Sequence, residues 1–317
     1  MQIHIDDLTS FSDCCFVIPC LNEEGSIAHV IKECLDECPG SRVVVCDNNS
    51  TDATAQAALE AGAQVIHETR PGKGYAVRHL FQNVNSKIVI MVDGDGTYDL
   101  SGLSDIIFRF RNENFDVASG NRLYYKSKAQ YRPGHYLGNL LFCHFSSLLL
   151  GKKQYDIFSG LFIMTDSFLS SFPLKSRTFE LEAELATHIA RMDSRYMAFP
   201  VKLRKRLYGA SKLRTFGDGS KILLGILKNS FTEFPLRIMS ALFIVLFSLS
   251  IFLMYLPVFE YLTTGVVTYT PRLIVASSTL VLSFIFLVSA LVLDSLSRTR
   301  VEARLFASRL YRNSRGD

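Results

Sequence analysis

The chain has 317 residues, enough for one large domain or two ordinary ones, and 48% of them are hydrophobic. A mean hydropathy of +0.19 is high for a soluble protein, so part of the chain is expected in lipid. The net charge of +4 is too small to argue for nucleic acid as a partner and better suits phosphate ligands or anionic lipid.

The first residues, M-Q-I-H-I-D-D-L-T-S, carry neither a basic n-region nor an apolar h-region. No signal peptide is therefore expected, and the N-terminal part is expected to stay in the cytosol. Apolar runs then alternate with helix-like stretches. F-V-I-P follows Cys15, R-V-V-V-C spans 42–46, Q-V-I-H spans 64–67 and K-I-V-I-M-V spans 87–92. Helices are predicted near 25–37, 51–61 and 74–84, the second capped by Ser50 or Thr51. This alternation predicts an α/β domain with a mostly parallel central sheet over residues 1–216.

Residues 217–236 form an amphipathic segment suited to a membrane surface. Residues 238–259 and 273–293 hold no charge, and each meets the requirement of about 20 apolar residues for crossing a bilayer. Two transmembrane helices are predicted within 237–296, followed by a basic tail over 297–317. The loop between the spans has Arg272 as its single basic residue. Lys221, Lys228 and Arg237 precede the first span, and Arg298, Arg300, Arg304, Arg309, Arg312 and Arg315 follow the second. The positive-inside rule predicts a multi-pass integral membrane protein with its first domain and both termini cytoplasmic. Seven cysteines without paired spacing support neither a disulfide framework nor a zinc site and read as buried thiols.

In open α/β sheets ligands bind beyond the carboxyl ends of the strands. Asp47 closes one predicted strand, and Asp93 and Asp95, separated only by Gly94, follow another. Two like charges that close repel each other unless a cation lies between them. They are hard oxygen ligands suited to Mg²⁺ or Mn²⁺, which commonly bind one or two carboxylates together with substrate phosphates. A D-x-D alone reads equally well as a solvated turn. The turn after the first strand, P-C-L-N-E-E-G, lacks G-x-G-x-x-G, and no G-K-[ST] follows the later G-D-G, so neither a dehydrogenase nor a P-loop enzyme is indicated.

The neighbours of the D-x-D carry more. F-V-I-P-C-L-N-E-E-G-S-I (16–27), V-V-V-C-D-N-N-S-T-D-A-T (43–54), R-P-G-K-G-Y-A (70–76) and V-D-G-D-G occur in that order. Together they resemble the family 2 glycosyltransferases of GT-A fold, over about the first 125 residues. The resemblance implies a nucleotide-diphospho-sugar transferase domain in which Pro19, Asn22, Glu23 and Asp47 line the nucleotide site. It makes Asp93 and Asp95 the metal motif, counts both with Gly94 among the nucleotide-sugar-binding residues, and places Arg70, Lys73 and Gly74 near base and phosphates.

A-S-G-N-R (118–122), D-I-F-S-G-L-F (156–162), F-E-L-E-A-E-L (179–185) and F-P-V-K-L-R-K-R-L-Y-G-A-S-K-L (199–213) extend the likeness. With two spans after them they resemble the polyprenyl-phosphate glycosyltransferases, the group that includes dolichyl-phosphate mannose synthases. The resemblance implies transfer of a hexose from a UDP-sugar or GDP-mannose to polyprenyl phosphate on the cytosolic face. Arg122, Arg206 and Lys212 match the acceptor-phosphate positions, and arginine forks suit phosphate oxygens. The K-L-R-K-R run reads also as a juxtamembrane patch for anionic lipid.

An ionised acceptor phosphate needs no general base, and direct attack implies inversion. Two alternatives stay open: a same-fold transferase acting on a hydroxyl, with Glu184 as base, and an idle nucleotide-sugar-binding scaffold. Glu180 and Glu184 lie one turn apart on a predicted helix, and the scattered histidines read as structural. Thr97 stands where the family often has glutamine, and Phe162 where arginine is common. The spans and the Arg-rich tail offer surfaces for a homo-oligomer or an interfacial helix.

Overall fold

A computed structural model describes residues 10–125, 135–173, 181–192, 194–208, 224–225 and 227–314. Two compact units divide it, one built from the chain up to Ile226 together with the residues from Leu305, the other from Leu227–Arg304.

The first unit is organised by a seven-stranded sheet. Its strands are β1 (Cys14–Cys20), β2 (Arg42–Asp47), β3 (Gln64–His67), β4 (Ile88–Met91), β5 (Val117–Asn121), β6 (Phe162–Thr165) and β7 (Tyr196–Pro200), in the order β3-β2-β1-β4-β6-β5-β7. The strand pairs are parallel except those made by β6, which runs antiparallel to both β4 and β5. That single reversal brings the leading end of β6 to the edge where the other strands end.

Helices cover both faces. They are α1 (Glu24–Glu37), α2 (Thr54–Glu60), α3 (Lys73–Asn83), α4 (Leu103–Asn112), α5 (His135–Leu150), α6 (Asp166–Ser171) and α7 (Leu181–Arg191). Alternate residues of each strand enter different cores. Phe16, Ile18 and Ile90 pack with Ile27 and Ile31 of α1 and Ile107 of α4, whereas Val17, Val89 and Met91 pack with Val77 of α3 and Leu185 of α7. Burial on both faces explains why these strands read as continuous apolar runs.

Pro19 fits within β1 because the β1–β4 ladder ends at Val17↔Met91, so its missing N–H leaves no bond unmade on that side. The predicted cap of the second helix differs from the one formed. Helix α2 begins at Thr54, whose N–H donates to Asp52 Oδ1 at 3.1 Å, while the Ser50 hydroxyl accepts from the Asn22 N–H.

The second unit contains helix α8 (Pro235–Thr264) and most of α9 (Thr270–Ser314), both long and apolar enough to cross a membrane. Pro257 lies inside α8 and has no N–H to give the carbonyl of Leu253, one turn earlier. Arg272 of α9 supplies the donor instead, its Nε–H reaching Leu253 O at 2.9 Å. The Ser250 hydroxyl ties the pair further by donating to Ala276 O at 2.8 Å. The lone basic residue of the connecting region therefore serves a backbone group freed by proline, as neighbouring helices do in bilayers.

Arg272→Ala is expected to lower hairpin stability by about 1.5–3 kcal/mol, the range for a hydrogen bond to a charged group. In a Pro257→Ala background, where Leu253 O regains a helical donor, the same change should cost much less. Thermal unfolding of the four variants in detergent measures this coupling.

The basic tail is not a separate element over its described length. Helix α9 continues through it for 45 residues in total, about 67 Å at 1.5 Å per residue. At its base Arg304 forks onto the buried carboxylate of Glu233, with its closer contact at 2.7 Å, and the Ser297 hydroxyl donates to Glu233 O. Residues 217–223 and 226 of the predicted amphipathic segment before the first span lie outside the described residues.

Candidate active site at the carboxyl edge of the sheet

The turn after β1 and the turn after β2 are laced together. The Asn22 side chain accepts from the Thr51 N–H at 2.7 Å, and the Glu23 N–H donates to Thr54 Oγ1 at 2.8 Å. Asn22 and Asn49 both adopt left-handed backbone, with φ of 51° and 61°, which asparagine tolerates better than most residues. Asn48 then braces the R-P-G-K turn: its amide donates to Glu68 O and Arg70 O, and its carbonyl oxygen accepts from the Gly72 N–H at 2.8 Å.

Asp47 sits at the tip of β2 with Oδ2 at 3.4 Å from His67 Nδ1, and its Oδ1 is buried without a hydrogen-bond partner. Arg70 grips Glu68 through Nε and a terminal nitrogen at 2.9 and 2.6 Å and lies over the Tyr75 ring. Hydrogen bonds from Arg70 hold the Glu68 carboxyl down at about 2. Lys73 and the buried Gly74 open helix α3.

Asp93 and Asp95 follow β4. Gly94 between them is needed because a Cβ there would lie 2.6 Å from Cys20 Sγ on β1, and the Gly94 carbonyl accepts from the Ser26 hydroxyl. Lys73 Nζ bridges Asp93 Oδ1 at 3.0 Å and Glu182 Oε1 of α7 at 2.9 Å. Burial alone would drive the Lys73 ammonium down, but the two carboxylates outweigh it and hold its pKa above the ordinary lysine value. Asp95 Oδ1 accepts from the Thr97 N–H and hydroxyl at 3.0 and 2.7 Å, and its Oδ2 lies 3.3 Å from Arg206. Burial first, and then the charge of Asp93, push the Asp95 carboxyl up against these partners. Thr97, the departure from the family's glutamine, is thus a direct partner of the second aspartate.

Arg206 is held beside the Asp93–Asp95 loop. It pairs with Glu23 as well as Asp95, and its Nε–H donates to Tyr208 O at 2.8 Å. The adjacent Leu207 and Tyr208 lie over Gly96 and Gly25, where a Cβ would fall within 2.6 and 2.5 Å of their side chains. Arg122 stands elsewhere on the same edge, just past β5. Asp156 receives its Nε–H at 2.6 Å, a terminal N–H at 2.8 Å and its backbone N–H at 3.0 Å, and Asn139 of α5 adds a further bond to Asp156. Burial raises the Asp156 carboxyl, but Arg122 and these donors more than offset it and hold it below the usual range.

Four residues beyond Asp156, Gly160 lies against the other motif: a Cβ there would sit 1.9 Å from Asp93 Oδ2. The Gly160 N–H donates to the hydroxyl of Tyr98, whose pKa burial pushes up to about 12. The reversal of β6 delivers this segment to the edge, so one short stretch carries the partner of Arg122 and the floor beneath Asp93.

Lys212 and Glu180 lie outside the described residues. Glu184 is buried rather than exposed, but Glu182 is the α7 glutamate that reaches the aspartate motif, and its Oε2 is buried without a hydrogen-bond partner. Glu182, Glu68, Tyr98 and Asp156 carry contacts that motif reading did not assign. All seven cysteines are buried free thiols. His67 and His79 face carboxylates, and His188 is buried against Ser171.

A mostly parallel sheet with acidic turns at its carboxyl edge is consistent with the nucleotide-diphospho-sugar transferase class, and comparison with known proteins shows that class. The model of glycosyl transferase family 2 matches residues 15–171. The chain is 42% identical over 119 residues to protein RfbJ of Shigella flexneri, covering 38% of this chain and 92% of that protein. It is 31% identical over 229 residues to glycosyltransferase AglJ of Haloferax volcanii, covering 70% and 73%. A dolichyl-phosphate hexose transferase of the same organism is 29% identical over 219 residues, covering 69% and 94%.

Among solved structures, glucosyl-3-phosphoglycerate synthase from Mycobacterium tuberculosis, in complex with Mn²⁺, uridine-diphosphate and phosphoglyceric acid, superposes with a TM-score of 0.55 at 18% identity. That match covers 73% of this chain and 84% of the other and shows the GT-A fold. The chain belongs to glycosyl transferase family 2 and is a glycosyltransferase.

Proposed function

We propose that this enzyme is a membrane-bound, inverting transferase that moves a hexose from a UDP-sugar or GDP-mannose to polyprenyl phosphate on the cytosolic face. The observation that carries the reading is the Asp156–Gly160 stretch, which couples the arginine suited to an acceptor phosphate to the aspartate suited to a donor's metal. The relative named a dolichyl-phosphate hexose transferase, aligned over 94% of its length, supports the acceptor class. In this reading residues 1–216 are the cytosolic catalytic domain and 217–236 lie at the membrane surface. Two helices within 237–296 cross the bilayer, and the tail over 297–317 returns to the cytoplasm.

The donor set fits Mg²⁺ or Mn²⁺. Asp93 and Asp95 are hard carboxylates, burial and then the charge of Asp93 raise the Asp95 carboxyl, and Lys73 and Arg206 lie beside them. Among the described residues no group of three or more His, Cys, Asp or Glu could hold an ion, which leaves room for diphosphate oxygens as further ligands. Asp93 and Asp95 would hold the cation, which when bound neutralises charge on the departing diphosphate.

The chain's own residues do the rest. Asp47, Asn22, Glu23 and Pro19 line the nucleotide, and the orphaned Asp47 Oδ1 accepts a donor N–H or O–H. Arg70, Lys73 and Gly74 close beside it, and Arg206 lies next to Asp95, where the diphosphate charge builds. Arg122, oriented by Asp156, presents its charge to the acceptor, with Lys212 as a further cation. The ionised phosphate oxygen attacks the anomeric carbon as the bond to the diphosphate oxygen breaks, inverting the centre without a base.

The test is transfer of radiolabel from a panel of UDP- and GDP-sugars to undecaprenyl or dolichyl phosphate in detergent, with Mn²⁺ and with chelator. The expected result is a chelator-sensitive product that extracts into organic solvent. Donor hydrolysis without labelled lipid would overturn the acceptor and make a hydroxyl the nucleophile, with Glu182 and Glu184 the bases to test. Failure to bind any donor would favour a scaffold.

A further inference from the structure

Helix α5 has two apolar faces. Asn139, Cys143, Ser146 and Leu150 point inward and are buried, with Cys143 packed against Ile157 and Ala183. The opposite face presents Leu140, Leu141, Phe145 and Leu148 to the outside, Leu148 at 73% exposure, and the intervening polar residue is His144. A surface helix of a soluble protein would place charged residues there.

The charge around this helix is one-sided. From Leu123 to Tyr155 there is no Asp or Glu, whereas Lys126, Lys128, Arg132, Lys152 and Lys153 flank the helix in sequence. Tyr124, Tyr125 and Tyr155 are exposed, the last with Lys153 over its ring. Leucine and phenylalanine on a helix flanked in sequence by lysine, arginine and tyrosine is the composition of a segment lying in the headgroup–acyl boundary of anionic lipid. A second copy seated on the same face would pair two segments of like charge, with no Asp or Glu from Leu123 to Tyr155 to offset it.

We propose that the outward face of α5 docks into an anionic bilayer and seats the catalytic unit at headgroup level. This rests on the membrane hairpin and lipid acceptor proposed above. The chain itself keeps a bilayer at hand, since it carries two helices able to cross one. The docked face also adjoins the chemistry. Asn139, one residue before the exposed Leu140, bonds the Asp156 carboxylate that orients Arg122. The width of one helix, about 10–12 Å, then separates the lipid from the network holding that arginine. A polyprenyl phosphate could bring its phosphate there while its chain stayed in the membrane.

The test uses the full chain in nanodiscs containing phosphatidylglycerol. Because the native cysteines are buried, an environment-sensitive dye can be placed at Leu141→Cys or Leu148→Cys, with Leu59→Cys on α2 and Ile285→Cys on α9 as references. Nitroxide lipids are expected to quench the dye at 141 and 148 at least about twofold more than at 59, and less so in neutral lipid. Strong quenching at 285 with none at 148 overturns this proposal and leaves the hairpin standing. No quenching at 285 removes the hairpin, and this proposal with it. Shielding of 148 from both lipid quencher and aqueous iodide assigns the face to a protein partner and overturns it too.

A functional arm separates docking from folding. Leu141→Glu with Leu148→Glu should reduce transfer to polyprenyl phosphate in the nanodisc by about tenfold or more, by loss of apolar burial. Transfer to a short, water-soluble prenyl phosphate should be unchanged. Equal loss with both acceptors would mark structural damage and count against docking.

Discussion

Gly160→Ala is expected to abolish most transfer activity while leaving the fold intact. The added methyl carbon would stand 1.9 Å from Asp93 Oδ2 and 2.5 Å from its Cγ, distances no non-bonded pair sustains. Asp93 has a short side chain, so relief requires its carboxylate to swing away from the position in which Lys73 meets it at 3.0 Å. That moves one of the two oxygen donors proposed for the cation. Losing one preorganised electrostatic contact at a reacting centre typically costs about 10²–10³ in rate. The same range is expected for Asp95→Asn, which has no steric component.

Gly138→Ala on α5 is the control, since a Cβ there meets nothing within 4 Å. It should keep full activity and gain up to about 1 kcal/mol from helix propensity. Rates, Mn²⁺ titration with donor nucleotide present, and melting temperature distinguish the variants. Wild-type metal affinity in Gly160→Ala would remove Asp93 from the metal site.

Gly160 illustrates what the sequence could and could not disclose. The strands were legible because both faces are buried, leaving runs such as I-V-I-M over β4, and the aspartates because they interrupt such a run at its end. The contact between Asp93 and Gly160 follows from the antiparallel insertion of β6 beside β4, which local periodicity does not encode. Glu182 lies 109 residues from Lys73, and their meeting depends on α7 packing behind β4.

Arg206 is matched to the acceptor phosphate by resemblance alone; its bonds to Glu23 and Asp95 arise because the chain after β7 turns back along the Asp93–Asp95 loop. Asp99 N–H donates to Lys202 O, and Arg204 N–H to Thr97 O. The unbroken length of α9 was locally readable in one respect. From Asp294 to Ser314 there is neither glycine nor proline, and the charge pattern that suggested a separate tail does not stop a helix.

Asp156→Asn is expected to be the most destabilising single change at the site. The Asp156 side chain is fully buried, and Arg122 has 17% of its side chain exposed, so the pair is shielded from the solvent screening that weakens surface ion pairs. Removing the anion leaves a guanidinium whose main counter-charge is gone, and breaking a buried pair from one side typically costs about 3–5 kcal/mol.

The pH dependence has a defined sign. A carboxylate held below its unfolded value near 3.9 adds stability above that pH. The contribution disappears as pH falls toward the folded pKa. Wild type should therefore lose stability more steeply than Asp156→Asn between about pH 5 and the acid limit, and the two curves should converge there. Denaturant unfolding across pH measures both the gap and its closure.

A second variant, Arg122→Lys, separates two roles for Arg122. A purely structural arginine would tolerate Arg122→Lys poorly in stability alone. An arginine that also meets the acceptor should show a raised KM for polyprenyl phosphate in that variant, since lysine lacks the fork that grips Asp156 and a phosphate together.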